Sequence, residues 1–265
     1  MAFLIISVSA CNNDAGNPSG IRQTDSGRVS TTKMAEQTTS NTILTGPCGK
    51  LIFFQQGAEI EATSYNDEGT AMSVQVTKIL SVTNNGGFTI ASVEGTDTGL
   101  DGEKKSTSVK YDYKCDGNKI YFDIASMFRS AEKEQDATFE SSLIEYPINL
   151  EMGGDLPDAV GMMSSIKDGK KSTMKYVYKN RKVEGREEVT TPAGRWTCYK
   201  VTSSIEVEMD IPGMDDKTKE MMKKMREGMK TSGITWFAPD FGIVKMEMYV
   251  NGKLQSKNEV TAVKR

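Results

Sequence analysis

The sequence predicts a mainly β protein built on one strongly curved antiparallel sheet, a half-barrel, with one or two short helices covering its concave face. Two observations predict the sheet: apolar residues recur at every second position in several runs, and turn-forming residues separate these runs. A third observation argues against one fold class, the parallel α/β sheet. Strands do not alternate with long helical patterns, so we do not expect a parallel nucleotide-binding sheet. We expect roughly ten to twelve strands.

The first ten residues form a short apolar run that ends in small residues and is followed at once by Cys11. The run is too short to span a bilayer, which needs about 20 apolar residues, and it suits the apolar part of a secretory signal. Val8-Ser9-Ala10-Cys11 resembles a bacterial lipobox, in which a peptidase cuts before a cysteine that carries lipid. The sequence therefore predicts a signal peptide over residues 1–10 and lipidation at Cys11. Because the usual basic start of a signal is missing, we expect the natural signal to be longer.

Residues 11–42 are expected to form the lipidated cysteine and a flexible linker. The stretch after Cys11 is rich in Asn, Ser, Thr, Gly and Gln and has almost no large apolar residues. Such a chain cannot bury enough surface to offset the entropy cost of ordering it. A flexible linker of this length holds the following domain roughly 30 Å from the anchor. Asn12 after the cysteine, with only Asp14 acidic nearby, favours the outer membrane and its periplasmic side over the cell surface.

Residues 43–265 are expected to form a single β half-barrel domain. From residue 199 to residue 209 apolar side chains alternate with charged ones, which predicts one buried and one wet strand face. Asn251-Gly252, between predicted strands 241–250 and 253–263, is typical of a tight hairpin. Other turn signals are Asn84-Asn85-Gly86-Gly87, Asp116-Gly117-Asn118 and Asp168-Gly169-Lys170.

Two segments depart from the strand pattern. Residues 124–131 place apolar side chains at i, i+3, i+4 and i+7, which predicts a short amphipathic helix. Asp215 or Asp216 can cap a second helix that runs to about Met229. A helix in this position can cover the apolar face of the sheet.

Methionine is unusually abundant, with 16 in the chain. Methionine adapts its shape and recurs on surfaces that bind varied apolar partners, so the segment 209–229 is a candidate for a flexible lid over an apolar cavity. The alternative is a contact in which these methionines only fill the space between a helix and the sheet. The tryptophans are expected in the cavity wall or the core. The predicted cavity or lid residues are Met209, Met214, Met221, Met222, Met225, Met229, Trp196 and Trp236.

The chain has no histidine, which removes the Ser-His-Asp and Cys-His triads, most zinc sites and the commonest general base. Its 33 basic and 36 acidic residues give a net charge of −3, which offers no electrostatic reason to expect nucleic acid as a partner. Glu206 and Glu208 are interpreted as members of a solvated strand face. Asp97–Glu103 fails the spacing of a calcium loop and is interpreted as a polar loop. We expect no metal, no cofactor and no enzymatic activity.

Cys48, Cys115 and Cys198 remain once Cys11 is lipidated. An odd number allows at most one intramolecular disulfide, which the oxidising cell envelope permits. The sequence does not choose among the pairings, and each cysteine can equally be a small buried apolar residue.

Two stretches resemble the TapB-like family of uncharacterised envelope lipoproteins from Bacteroidetes. They are Val183–Val201, with a turn at Pro192-Ala193-Gly194, and Trp236–Lys245, with a tight turn at Ala238–Gly242. That family is distantly similar to the LolA/LolB half-barrels, which hold the acyl chains of lipoproteins. The resemblance covers roughly residues 45–265 and implies a half-barrel in the envelope. It transfers no catalytic residue, and it departs at Trp196, where the family more often has Phe.

These observations predict a non-enzymatic lipoprotein, anchored to a membrane through Cys11, that binds a lipid, an acyl chain or an apolar peptide in a half-barrel. The alternative is a structural or interaction lipoprotein. In that case its own side chains fill the core, and its outer surface contacts another envelope protein whose identity the sequence does not indicate.

Overall fold

The computed structural model describes residues 46–100, 106–123, 137–141, 143–167, 170–211 and 213–265. The helices are α1 (Pro47–Lys50), a 3-10 helix (Ile52–Phe54) and α2 (Asp216–Gly228). The strands are β1 (Glu59–Asn66), β2 (Ala71–Asn85), β3 (Phe88–Gly99), β4 (Ser106–Cys115), β5 (Lys119–Asp123), β6 (Ala137–Ser141), β7 (Leu143–Pro147), β8 (Asp155–Leu156), β9 (Ala159–Lys167), β10 (Lys170–Thr191), β11 (Gly194–Asp210), β12 (Thr231–Ala238), β13 (Gly242–Val250) and β14 (Lys253–Lys264).

The described strands form one 14-stranded sheet in the order β6-β9-β10-β11-β12-β13-β14-β1-β2-β3-β4-β5-β7, with β8 paired to β10. Every pairing is antiparallel. The sheet curls until the edge strand β7 lies beside β9, so it is barrel-like and nearly closed. The mainly β class and the curved antiparallel sheet are therefore confirmed, and the strand number exceeds the expected ten to twelve.

Each strand presents two faces, and the cross-strand register assigns every side chain to one of them. In β4 the burial alternates, with Tyr113 and Cys115 buried and Ser106, Ser108 and Lys110 exposed. We call the face that carries the buried core the inner face. The period-2 pattern of the sequence is the direct cause of this division.

The chain before β1 fills one end of the barrel-like sheet. Leu51–Phe54 are all at most 7% exposed, and Phe53 packs edge to face against Tyr113 and Phe122. Gly242, at the start of β13, has φ 117°, and a Cβ there would lie 2.4 Å from the Phe53 ring. Only glycine fits a backbone of this conformation so close to an aromatic ring. We call this end, filled from within by α1 and the 3-10 helix, the plugged end.

A disulfide joins Cys48 in α1 to Cys115 at the end of β4. The structure thus selects one of the pairings that the sequence left open. Cys198 in β11 is free and buried, and burial raises the pKa of its thiol to about 12. A thiol of this kind stays protonated at neutral pH and is a poor nucleophile.

Two local predictions agree closely with the structure. β13 and β14 form the hairpin expected around Asn251-Gly252, and these two residues have φ 50° and 75°, as a type I′ turn requires. α2 occupies the second predicted helix, and Asp215 caps it by accepting a hydrogen bond from the backbone N–H of Thr218 at 2.9 Å. The other predicted helix, at 124–131, lies outside the described residues.

One local prediction is wrong. Asp97 does not begin a polar loop, because β3 continues through it to Gly99. In the described part of the chain, no helix has both the length and the apolar character that crossing a membrane requires.

Candidate functional site

The end of the sheet opposite the plug carries the turn between β1 and β2, the β13–β14 turn and the connection from β11 to β12. We call it the open end, because the hydrophobic core of fully buried residues lies away from it. Burial on the inner face falls towards this end: along β13, Val244 is 1% exposed, whereas Met246 and Met248 are only half-buried. The inner surface between the plugged core and the open end, here called the open chamber, is therefore accessible to solvent.

One wall of the open chamber, on strands β10 to β13, is apolar. Its half-buried members are Met174, Tyr176, Ile205, Val207, Met209, Met246 and Met248. The register pairs Met174 with Met209, which places both on the same face. Gly233 is buried beside Ile205, and its ideal Cβ would lie only 3.3 Å from the Ile205 Cδ1 atom. A glycine here keeps the wall clear of a side chain that would crowd the chamber.

The facing strands, β1 to β4 with β14, supply a polar wall. Its inner-face residues towards the open end are Ser64, Ser73, Gln75, Asp97, Thr107, Ser256 and Asn258. The Asn258 amide donates to the Ser64 hydroxyl at 2.9 Å. The chamber is thus amphipathic, with thioether and aliphatic groups on one side and hydroxyl, amide and carboxylate groups on the other.

Two tyrosines form the boundary between the filled core and the polar wall. The hydroxyl oxygens of Tyr111 and Tyr113 lie 3.3 Å apart, and burial raises the pKa of both groups. Both phenols therefore remain neutral at physiological pH. Tyr111 lies over Gly95 of β3, whose ideal Cβ would be 3.1 Å from its ring. These rings close the chamber on the side of the plug.

Asp97 is a feature of the chamber that the sequence interpretation missed. It lies on the inner face of β3, opposite Gln75 on one side and Thr107 on the other. Its Oδ1 atom is inaccessible to solvent and has no hydrogen-bond partner in the part of the chain that the structure describes. The signal was present, because Asp97 continues the inner-face alternation of Ala91, Val93 and Gly95.

The predicted lid methionines fall in different environments. Met209 belongs to the apolar wall, Met214 and Met222 are half-buried, and Met221 and Met229 are 65% and 45% exposed. For Met225 only the position in α2 is described.

α2 has few close backbone contacts with the strands, and on it Thr218 and Met222 are half-buried. The expectation of a covering helix and the alternative of a methionine-filled contact between helix and sheet both stay predictions. The connection leaves β11 and returns to β12 at the open end with Ile205 opposite Thr231, so strand pairing does not require the helix to fold inward.

Trp196 lies at the plugged end rather than in the chamber. Its indole N–H donates to the Thr191 hydroxyl at 3.1 Å, and its ring centroid is 4.4 Å from that of Phe241. It packs against the core, which was one of the two places expected for it.

Trp236 lies on the opposite face of β12 from the chamber. Its neighbour Thr235 pairs with Met246 on the inner face, so Trp236 points the other way. Its indole N–H donates to Glu187 at 2.5 Å, and the Lys245 ammonium is 4.4 Å from its ring. It is 5% exposed and belongs to the core cluster, but not to the chamber wall.

The acidic pair Glu206 and Glu208 lies on the outer face. Lys179 approaches Glu206 at 2.6 Å and Lys175 approaches Glu208 at 3.3 Å across the β10–β11 pairing. Within the described residues no three His, Cys, Asp or Glu side chains come together as a metal site would need. Cys11, the predicted lipidation site, lies outside the described residues.

A shallow groove of about 370 Å³ lies on the outer face of β3 and β4. Its rim includes Leu80 and Leu143, which are 41% and 40% exposed, together with the charged side chains of Lys110, Asp112 and Lys114. Mixed apolar and charged rims of this kind suit contact with another protein better than burial of a lipid.

A family model described as DUF3108-like matches residues 55–260. Among curated proteins, none matches the sequence. A candidate exported protein with a YmcC-like fold from Bacteroides fragilis is similar in structure, with a TM-score of 0.60, 21% sequence identity, and coverage of 80% of this chain and 97% of its own. A candidate lipoprotein from Parabacteroides distasonis gives a TM-score of 0.60, 18% identity, and coverage of 81% and 99%.

At these identities the two solved structures establish the fold of this chain and nothing about its activity. The match covers almost the whole of each neighbour, so the shared fold includes the barrel-like sheet rather than a fragment of it. Neither neighbour carries a TapB-like or LolA/LolB name, so that part of the resemblance remains an expectation.

Proposed function

The chain belongs to the DUF3108-like family, and on that premise we propose that it is a lipid-anchored envelope protein that binds a hydrophobic ligand in its open chamber. The ligand is a lipid, an acyl chain or an apolar peptide, and the protein holds it without transforming it. The anchor is Cys11, and the site of action is the periplasmic side of the outer membrane.

The observation that carries this proposal is the accessible apolar wall. Apolar side chains inside a soluble protein are normally packed to high density, with few voids larger than a water molecule. Here Met174, Met209, Met246 and Met248 stay half-buried although they face inward. Methionine adapts to ligands of different shape, which suits a chamber that holds flexible chains.

The proposed compartment rests on the lipobox-like Val8–Cys11 and on the two fold neighbours, one a candidate exported protein and the other a candidate lipoprotein. The Cys48–Cys115 disulfide is consistent with it, because disulfides persist in oxidising compartments. The absence of catalysis is proposed because the sequence holds no histidine and because Cys198 is buried with a raised pKa.

The test is a titration of the soluble Cys11→Ser protein with N-phenyl-1-naphthylamine, whose fluorescence rises in apolar surroundings. We expect saturable binding, and we expect Met246→Gln with Met248→Gln to weaken it by about tenfold, because a buried amide without partners is unfavourable. Met152→Gln is the matched control, since Met152 is 71% exposed. Absence of saturable binding, together with absence of lipid in organic extracts of the protein, would contradict the proposal.

A second candidate function, contact with another envelope protein, is favoured by the side-chain-filled plugged end and the outer groove. It predicts that Leu80→Asp and Leu143→Asp abolish a cross-linked species in living cells, whereas the chamber variants leave that species unchanged. A cross-linking pattern sensitive only to Met246 and Met248 would exclude it.

A further inference from the structure

Asp97 stands out among the acidic side chains of this sheet. Its Oδ1 atom is shielded from water and accepts no hydrogen bond in the described structure. Asp112, on the neighbouring strand but on the outer face, illustrates the usual situation, because it accepts a hydrogen bond from the Ser92 hydroxyl at 2.7 Å.

A carboxylate oxygen removed from water without a donor is unfavourable, and buried polar atoms in folded proteins are nearly always paired. The residues opposite Asp97 in the sheet, Gln75 and Thr107, carry donor groups but do not direct them to it. Because none of the described residues donates to Asp97, a group from outside the chain is a candidate donor.

The side chain of Asp97 is only half-buried, so a group from outside can approach the carboxylate although its Oδ1 atom is shielded. The inner-face positions on either side of it in β3 are Gly95 and Gly99, so no side chain of its own strand flanks the carboxylate. Beyond Gly95 the Tyr111 ring closes the space, and towards the open end the polar wall continues through Ser64 and Ser73. A headgroup can therefore reach Asp97 from the open end.

We propose that Asp97 is the headgroup acceptor of the open chamber, and that the ligand is an amphipathic molecule with a protonated amine or a similar donor at one end and an apolar tail. This deepens the proposed function and rests on it. The donor pairs with the Asp97 carboxylate on the polar wall while the tail lies on the methionine wall of β10 to β13. A ligand with a carboxylate headgroup brings a second negative charge next to the Asp97 carboxylate and therefore binds less tightly.

The experiment compares three probes that share a twelve-carbon tail: dodecylamine, dodecanol and dodecanoate. Each is titrated at pH 7 to displace N-phenyl-1-naphthylamine from the soluble Cys11→Ser protein. We expect dodecylamine to bind at least about tenfold more tightly than dodecanoate, since charge-assisted hydrogen bonds exceed neutral ones in strength. Asp97→Asn removes most of this preference, and the matched outer-face variant Asp112→Asn keeps it.

Thermal unfolding supplies a second readout. Without ligand, Asp97→Asn unfolds at the same temperature as the parent or higher, because it removes an unpaired charge. Dodecylamine raises the unfolding temperature of the parent more than that of Asp97→Asn. Equal affinity for the three probes overturns this inference but not the proposed function. An Asp97→Asn variant that unfolds at a lower temperature and still prefers dodecylamine has the same consequence. Failure of the naphthylamine probe to bind the parent, together with absence of lipid in its organic extracts, overturns the proposed function and this inference with it.

Discussion

Arg181 is the largest of the side chains that the described core buries almost completely, at 2% exposed. Its Nη1 and Nη2 atoms donate to the carbonyls of Pro157 and Glu145, each at 2.8 Å, and its guanidinium lies 4.8 Å from the Tyr146 ring centroid. Because Glu145 and Tyr146 belong to the edge strand β7, Arg181 of β10 links this edge to the strands near the other edge of the curled sheet. We call this contact the Arg181 seam.

A bulge directs Arg181 inward. The register shifts between Lys179 and Lys182, and Asn180 has φ 51°, a left-handed conformation that asparagine tolerates better than most residues. Bulges of this type bend a strand and turn a side chain to the other face. The closure of the sheet therefore depends on a local irregularity that regular alternation does not predict.

Replacing Arg181 with Met should destabilise the protein strongly. The change removes the donors that Arg181 supplies to the carbonyls of Pro157 and Glu145, and it removes the cation–π contact, so we expect the free energy of unfolding to fall by about 3 kcal/mol. Urea denaturation followed by circular dichroism measures this change. Arg186→Met is the control, because Arg186 is exposed and only reaches the Tyr199 ring at 5.5 Å. Similar values for the two variants would argue against the seam.

At the scale of elements, the plug is the part most dependent on distant partners. α1 and the 3-10 helix have 4 and 3 residues, too few to be stable as isolated helices. Their order comes from burial of Leu51–Phe54 and from the disulfide to β4, which closes a separation of 67 residues.

Removing the disulfide with Cys48→Ser and Cys115→Ser should lower the free energy of unfolding by about 4 kcal/mol, on the loop-entropy estimate for a loop of this length. The measurement is the urea midpoint of the oxidised parent and of the double variant. Dithiothreitol should lower the midpoint of the parent and leave that of the variant unchanged. An effect of reductant on the double variant would show that another bond is involved.

α2 should affect binding but not stability. Met221 and Met229 are largely exposed, so replacing both with Ser should change the free energy of unfolding by no more than about 0.5 kcal/mol. If the helix acts as a lid over the chamber, naphthylamine binding weakens in the same variant. Met152→Ser, 71% exposed and distant from the open end, is the control. Loss of folding in the double variant would instead identify α2 as core.

For the whole molecule, the plug and the chamber lie at opposite ends of the described sheet. The described chain enters at the plugged end through α1, while the chamber faces the other end of the sheet.

Replacing Cys11 with Ser should move the protein from the membrane fraction to the soluble fraction, because stable anchoring needs more than one acyl chain and all of them would be attached at this residue. Cell fractionation with immunoblotting measures the distribution. Cys198→Ser, which removes a buried thiol elsewhere, should stay with the membrane. A Cys11→Ser protein that remains membrane-bound would show that another part of the chain holds it there.

Much of the sheet follows from local patterns. The β13–β14 hairpin, the cap of α2 and the wet face of Glu206 and Glu208 were predictable, because each depends on residues close together in sequence. The partner of α2 was not, since an amphipathic stripe indicates an apolar face but not what covers it. Trp236 was expected in the cavity wall or the core, and strand register places it on the face opposite the chamber.

The sequence by itself determined the mainly β class, the helix at 216–228, the tight hairpin at Asn251-Gly252 and the lack of histidine chemistry. Only the tertiary structure decided the Cys48–Cys115 pairing, the Arg181 seam, the plug and the inward position of Asp97. The physical reason is the distance along the chain between the residues that interact. Alternation, caps and turns depend on neighbouring residues, whereas closure of the sheet and the content of its interior depend on contacts between residues far apart in the chain.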